Sequence, residues 1–176
     1  SRRRQDMKAL RTHLWIVAGA VGLAFVALGI LFVVMGLDAK ATIRAALADE
    51  NVTTSSDAVE FGVPAGILVR DAKTAEAQAD VIKMHSIENY GLYTEMERDD
   101  PNRATYIKGL TLRNSLNLSV LGFGVADLAI GTGAVILLMG VATLAVGVPA
   151  LYGATAAEES LVALKRRPTE VPAAGD

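Results

Sequence analysis

Two long apolar stretches separated by a polar segment dominate the pattern of hydrophobic and polar positions along this 176-residue chain. The first, 14–37, carries no polar side chain over 24 residues. As a helix it is roughly 36 Å long, enough to cross a hydrocarbon core of about 30 Å. The second, 116–157, is roughly 63 Å long, about twice that thickness. The pattern predicts an all-α integral membrane protein: an antiparallel two-helix transmembrane hairpin with a small helical extracytoplasmic cap.

The predicted organisation has five segments. They are a basic N-tail 1–13, transmembrane helix 1 at 14–37, an extracytoplasmic helical segment 38–113, a long helix 114–157 containing transmembrane helix 2 (lipid part about 132–155), and a C-tail 158–176.

Helix-start and helix-stop residues predict further structure in the polar segment. Asp71 is a suitable N-cap and Gly91 a suitable C-cap for a helix over 70–91. A second helix is expected from Asp100 as N-cap and Pro101 at its first position, continuing into helix 2. Within the second apolar stretch, Pro149 could introduce a kink.

Basic residues lie at both ends of the chain, and the polar segment exceeds the roughly 60-residue loop length over which charge bias is counted. They are Arg2, Arg3, Arg4, Lys8 and Arg11 before helix 1, and Lys165, Arg166 and Arg167 after helix 2. This predicts a bacterial plasma-membrane protein with both termini cytoplasmic and the middle segment outside. The first apolar run is too long for the core of a signal peptide, about 7–15 residues, and no A-x-A site follows it. We therefore expect a retained span.

Composition narrows the possible chemistry. The chain has no cysteine, which excludes disulfides, thiolate zinc sites, iron–sulfur clusters and a cysteine nucleophile. A net charge of −2 does not favour a nucleic-acid partner. Sixteen glycines with only 5% aromatic residues are typical of closely packed membrane helices. No nucleophile-elbow, zinc-protease, phosphate-loop or dinucleotide motif is present.

Glycines recur every seven residues in both apolar stretches, a period typical of a left-handed helix pair with small residues at the contact. The predicted helix-packing residues are Gly22, Gly29 and Gly36 in helix 1 and Gly133, Gly140 and Gly147 in helix 2. An antiparallel hairpin pairs 36 with 133, 29 with 140 and 22 with 147. The alternative is coincidence, since glycine is common in membrane helices.

Asp127 is a carboxylate within the second apolar stretch. The glycine register sets it opposite Thr42, about 7 Å beyond the lipid boundary, with Lys40 and Arg44 as the nearest cations. We expect an ion pair or a capping role for Asp127. The alternative is a proton or cation site, because an intramembrane carboxylate is a candidate functional site by default.

Candidate metal and haem ligands are sparse. His85 and Glu88 are three residues apart, and Asp80 or Glu76 could join them, but a metal site normally needs three or four convergent ligands. His13 is expected at the inner edge of helix 1. Carboxylates crowd residues 95–103, for which a solvated turn is expected, with calcium or a basic partner as alternatives. We expect no cofactor, no metal, no catalytic residues and no small-molecule substrate.

The stretch 77–134 contains D-P-N-R-x-T-Y followed by L-N-L-x-V-x-G-F-G-V-x-D-L. It resembles a group of small two-span actinobacterial membrane proteins of unknown function, some labelled as aromatic ring-opening dioxygenases. The resemblance implies two spans and an external segment, and offers no catalytic residues. A non-haem iron oxygenase needs two histidines and a carboxylate together. His13 and His85 are expected on opposite sides of the membrane, so they cannot form such a site together. The resemblance therefore does not imply dioxygenase activity for this chain.

These observations favour a non-catalytic accessory or assembly subunit of a larger plasma-membrane complex, with the respiratory chain as the first guess by analogy. The expected partners are membrane lipid and other membrane-protein subunits. The alternative is a homo-oligomeric small channel or transporter with Asp127 at an outer vestibule. The apolar stretches argue against a pore, because their lipid-embedded parts offer only Thr143 and Thr132 as polar side chains.

Overall fold

The computed structural model describes residues 13–166, which are helical apart from short connections and one isolated antiparallel bridge between Thr53 and Leu68. The elements are α1 (Leu14–Asp49), a 3₁₀ turn (Ser56–Phe61), α2 (Ala72–Tyr90), α3 (Arg103–Ala142), a π-helical turn (Thr143–Gly147) and α4 (Val148–Arg166). Helix α4 thus extends into the predicted C-tail. The basic residues of the N-tail and Arg167 lie outside the described residues.

Two stretches are long and apolar enough to cross a membrane: Leu14–Asp49, which is α1, and Arg103–Ala157, which is α3 with its continuation. In their most apolar windows only 11% and 6% of the residues are buried. The core helix of a soluble protein would be mostly buried. The expectation of an all-α protein with two such helices is confirmed at this level.

The chain divides into two compact units. We call residues 13–30 with 133–166 the terminal unit, and residues 31–132 the central unit.

In the terminal unit the two chain segments touch through glycine. A Cβ built on Gly29 would lie 2.7 Å from the carbonyl oxygen of Gly133 and from the amide nitrogen of Leu137. Trp15 and Tyr152 pack edge to face with ring centroids 5.6 Å apart. Their contact closes one end of this unit's helix pair.

The π-helical turn lies directly before Pro149. Proline lacks an amide hydrogen, and its ring clashes with the carbonyl four residues earlier in a regular helix, here that of Ala145. A wider turn relieves that clash, so the helix continues through the proline to Arg166 instead of ending there.

The core of the central unit lies where α2 packs against α1 and α3. The buried residues of this cluster are Leu47, Val69, Ala75, Ala79, Leu116 and Phe123. Ala75 and Ala79 belong to α2 and present small side chains, which allows the helix to approach closely. A second cluster joins α2 to the 3₁₀ turn through Ala58, Val63, Ala77 and Val81.

Capping residues set the limits of α2. The Asp71 carboxylate accepts a hydrogen bond from the Thr74 amide at 2.8 Å, and Thr74 completes a capping box with the Asp71 backbone. Gly91 ends the helix at a φ of 71°. Helix α3 begins at Arg103, two residues beyond the expected start, because Asp100 accepts from the Asn102 amide within a turn.

Candidate functional site

The glycine contacts follow a register different from the expected one. In the terminal unit, Gly22 lies against Gly140 and Gly29 against Gly133; in the central unit, Gly36 lies against Ala126. The expected pairs of Gly36 with Gly133, Gly29 with Gly140 and Gly22 with Gly147 are therefore wrong by one heptad. A Cβ on Gly147 would meet, among the described residues, only the side chain of Thr143 in its own helix.

The error has a physical cause in the seven-residue spacing itself. Both helices repeat their glycines with the same period, so sliding one helix by seven residues again aligns glycine with glycine. Large residues lie over the glycines of α1: the Leu144 side chain over Gly22, the Leu137 backbone over Gly29 and the Ile130 side chain over Gly36. If one helix slipped by one heptad, Leu137 would lie over Gly36 and Leu144 over Gly29. The packing of large residues over glycine therefore does not select the register either.

Contacts in the central unit distinguish the two registers. The Ile43 side chain lies 2.7 Å from the Cβ position of Gly122, which only glycine leaves free. Leu47 belongs to the same buried cluster as Leu116 and Phe123. These residues lie outside the glycine repeat of α1, so the register depends on side chains that the repeat does not include.

Asp127 forms an ion pair with Lys40. The Asp127 side chain is 62% exposed and that of Lys40 is 21% exposed. The second expected cation, Arg44, donates instead from Nε to the carbonyl oxygen of Arg70 at 3.0 Å. Lys40 thus neutralises the Asp127 carboxylate, whereas Arg44 anchors the chain segment that enters α2.

The observed register also moves Asp127 along α1. Since Gly36 lies against Ala126 and the helices are antiparallel, Asp127 is level with Met35, two residues before the end of the first apolar run, and not with Thr42. The Lys40 side chain reaches back along its helix to meet it. Asp127 therefore sits at the edge of the apolar run and not well beyond it.

A groove runs between α1 and α3 on a flank that does not include Lys40 or Asp127. It comprises a part of about 600 Å³ and a part of about 870 Å³ that share lining residues. Small residues form its floor and large ones its rims, with Leu118 68% and Leu121 62% exposed. Glu50 is the charged residue among the described residues that line it.

The two histidines lie apart from this groove. His85 Nε2 is 2.7 Å from Asp57 Oδ2, which ties α2 to the 3₁₀ turn. His13 stands at the start of α1, where its carbonyl oxygen accepts from the amides of Ile16 and Val17. Asp57 was not foreseen as the partner of His85, since the two are 28 residues apart.

Candidate metal ligands do not converge. Glu88 and Asp80 line a separate small cavity together with Lys83. Among the side chains that the structure describes, no group of three from His, Cys, Asp or Glu could hold a metal ion.

The acidic stretch 95–103 is organised around Arg103. Its Nη1 donates to the carbonyl oxygen of Met96 at 2.9 Å, and its guanidinium stacks 4.3 Å from the ring centroid of Tyr93. The rings of Tyr93 and Tyr106 also pack together, with their centroids 5.5 Å apart. The connection from α2 to α3 is thus held by a cation and aromatic rings, which the count of carboxylates did not indicate.

Asp71 carries a perturbed pKa. Partial burial by itself raises the pKa of this carboxyl, but hydrogen bonds from the Thr74 amide and hydroxyl, with the charges of Arg70 and Arg44, lower it below its ordinary value. This effect stabilises α2 and has no evident catalytic use.

No family model matches this chain, and no curated protein or solved structure matches it either.

Proposed function

We propose that this chain is a non-catalytic accessory or assembly subunit of a larger plasma-membrane protein complex. Its two apolar helices span the bilayer, both termini are cytoplasmic and segment 38–113 is outside. The observation that carries the proposal is an exposed apolar stripe on α3 that extends beyond the level at which lipid can cover it.

The exposure of the apolar helices supports the membrane location. Burying an apolar side chain is worth about 1.5–3 kcal/mol, so long helices that leave most of theirs exposed need an apolar surrounding. Trp15 and Tyr152 pack together at one end of the helix pair. Such amphipathic rings are favoured at both membrane–water interfaces, which supports this end of the helix pair as a membrane boundary.

The opposite boundary follows from the length of α1. Lys40 is 25 residues beyond Trp15 on this one helix, which is about 37 Å. A bilayer is about 30 Å thick in its hydrocarbon core and about 40–45 Å with its headgroups. On this proposal the Lys40–Asp127 pair lies in the outer headgroup layer, and the lipid-embedded part of helix 2 begins just after Asp127 instead of near Thr132.

The stripe on α3 begins near that level and extends beyond it. Leu118, Leu121 and Val125 recur at helical spacing and are each more than half exposed. Leu118 is nine residues before Asp127, or about 13 Å farther along the helix. Contiguous apolar residues outside the lipid indicate a protein-binding surface. A subunit that docks against another membrane protein would cover them.

A channel has less support. Lys40 already neutralises Asp127, which weakens the case for a cation site in an outer vestibule. Of the polar side chains in the second apolar stretch, Thr143 donates its hydroxyl to the Met139 carbonyl within its own helix. Neither contact offers a polar lining to a pore.

The test is purification of tagged protein from native membranes in mild detergent, with mass spectrometry of the proteins that co-purify. Recovery of one defined complex in constant stoichiometry is the expected result, and respiratory-chain complexes are the first to look for. Recovery of the chain alone as a uniform homo-oligomer would contradict the proposal and favour the channel.

A further inference from the structure

We propose that the groove between α1 and α3 binds one transmembrane helix of the partner subunit, and that this helix carries a Lys or Arg that pairs with Glu50. The inference rests on the proposed accessory role and identifies the surface and the partner chemistry.

The shape of the groove suits a helix. The more buried residues of its lining are small, Gly36, Gly122 and Ala126 among them, and they form its floor, whereas larger exposed residues such as Met35 and Leu121 form its rims. A floor of small residues lets another helix approach closely, and flanking large residues can pack on both sides of it. From Met35 to Glu50 the groove follows 15 residues of α1, about 22 Å or four helical turns.

The charge of the groove specifies the partner. Glu50 is exposed at its polar end and has no cationic partner among the side chains that the structure describes. The two cations of α1 make other contacts: Lys40 binds Asp127 and Arg44 binds the Arg70 carbonyl. A carboxylate at the end of a groove whose other lining residues are uncharged complements a single basic side chain.

Lipid is a poorer occupant than a protein helix. The rim residue Leu118 lies about 13 Å beyond Asp127 along α3, above the headgroup layer in which the ion pair lies on our proposal. An acyl chain does not reach that level. The helix of a membrane protein does, provided that it extends beyond the bilayer as α1 and α3 themselves do.

A second copy of the chain is also disfavoured. Copies inserted in the same orientation would pair about an axis along the membrane normal, which sets the two Glu50 carboxylates at the same height. Like charges facing each other across an interface are repulsive. Two concave faces would also leave the space between them unfilled.

Photo-crosslinking of the full chain in native membranes tests the surface. Benzoylphenylalanine replaces Leu118 on the rim, and a control variant carries it at Gly124, which lies on another face of α3 and whose Cβ would meet no described residue within 4 Å. The expected result is a crosslink from position 118, and none from 124, to a transmembrane segment of the co-purifying subunit.

Charge reversal tests the pairing. Glu50→Lys is expected to lower recovery of the partner about tenfold. Asp49→Lys, an exposed neighbour that does not line the groove, should leave recovery unchanged. Replacing the basic residue in the crosslinked partner segment by Glu should restore binding of the Glu50→Lys variant.

The outcomes separate this inference from the proposed function. If the wild-type chain recovers a complex but position 118 crosslinks only to lipid or to a second copy, the inference is overturned and the accessory role stands. Equal recovery by Glu50→Lys and wild type also overturns it. If the wild-type chain recovers no other subunit, the proposed function fails and the inference fails with it.

Discussion

Lys40 on α1 and Asp127 on α3 form an ion pair level with the end of the first apolar run. Both residues belong to the central unit, and the pair lies on a flank of the helix pair away from the groove. A pair of this exposure contributes only about 0–1 kcal/mol to stability. Its consequence is mainly local, since it leaves no unpaired carboxylate at the edge of an apolar surface.

The register of α1 and α3 can be tested by disulfide formation, because the chain has no cysteine of its own. Ile43 reaches the Cβ position of Gly122 in the observed register. We expect Ile43→Cys with Gly122→Cys to crosslink under mild oxidation, since disulfides require Cα atoms about 4.4–6.8 Å apart. Ile43→Cys with Ala129→Cys corresponds to a slip of one heptad and should remain reduced. A crosslink in the second pair alone would refute the register, and electrophoresis distinguishes the two results.

Glycine substitutions should differ in effect according to what the added Cβ meets. At Gly29 it meets backbone atoms at 2.7 Å, whereas at Gly22 the nearest atoms belong to the flexible Leu144 side chain at 2.8 Å. We expect Gly29→Ala to destabilise by about 1–3 kcal/mol and Gly22→Ala by less. Gly131→Ala, where the Cβ meets no described residue within 4 Å, is the matched control. Thermal unfolding in detergent measures the series, and equal midpoints for all three variants would contradict close packing at Gly29.

The capping carboxylate of α2 predicts a pH dependence. Its pKa in the folded chain lies below the ordinary value of 3.8, so its contribution to stability is fully present above that value. The contribution is lost as the pH falls from about 4 through the folded pKa. Asp71→Ala should cost about 1 kcal/mol near neutral pH and much less at pH 2–3. Chemical unfolding at several pH values checks this, and a cost independent of pH would show that the charge contributes nothing.

The topology predicts which residues are accessible from outside the cell. Ser56→Cys in the 3₁₀ turn should react with a membrane-impermeant maleimide in intact cells. Ser160→Cys in α4 should react only after the membrane is opened. Val17→Cys, within the first apolar run, should react slowly in both cases because thiols in lipid do not ionise readily. Labelling of Ser160→Cys in intact cells would reverse the proposed placement of the C-terminus.

The sequence by itself determined the features that depend on neighbouring residues along the chain. The run from Leu14 to Leu37 is apolar over enough residues to make a long helix. Asp71 and Gly91 limit α2 through hydrogen bonds to backbone groups three or four residues away. The glycines at 22, 29 and 36 could be recognised as contact residues because helical periodicity sets them on one face.

Only the tertiary structure decided which residues meet across the helices. A period of seven is unchanged by a shift of seven, so the glycine pattern permits two registers, and contacts outside the repeat, such as Ile43 with Gly122, distinguish them. The same holds for Asp127: two cations flanked its expected position, and only the relative height of the helices gives it Lys40. Periodicity is a property of one helix, whereas register and ion pairing depend on distances between two.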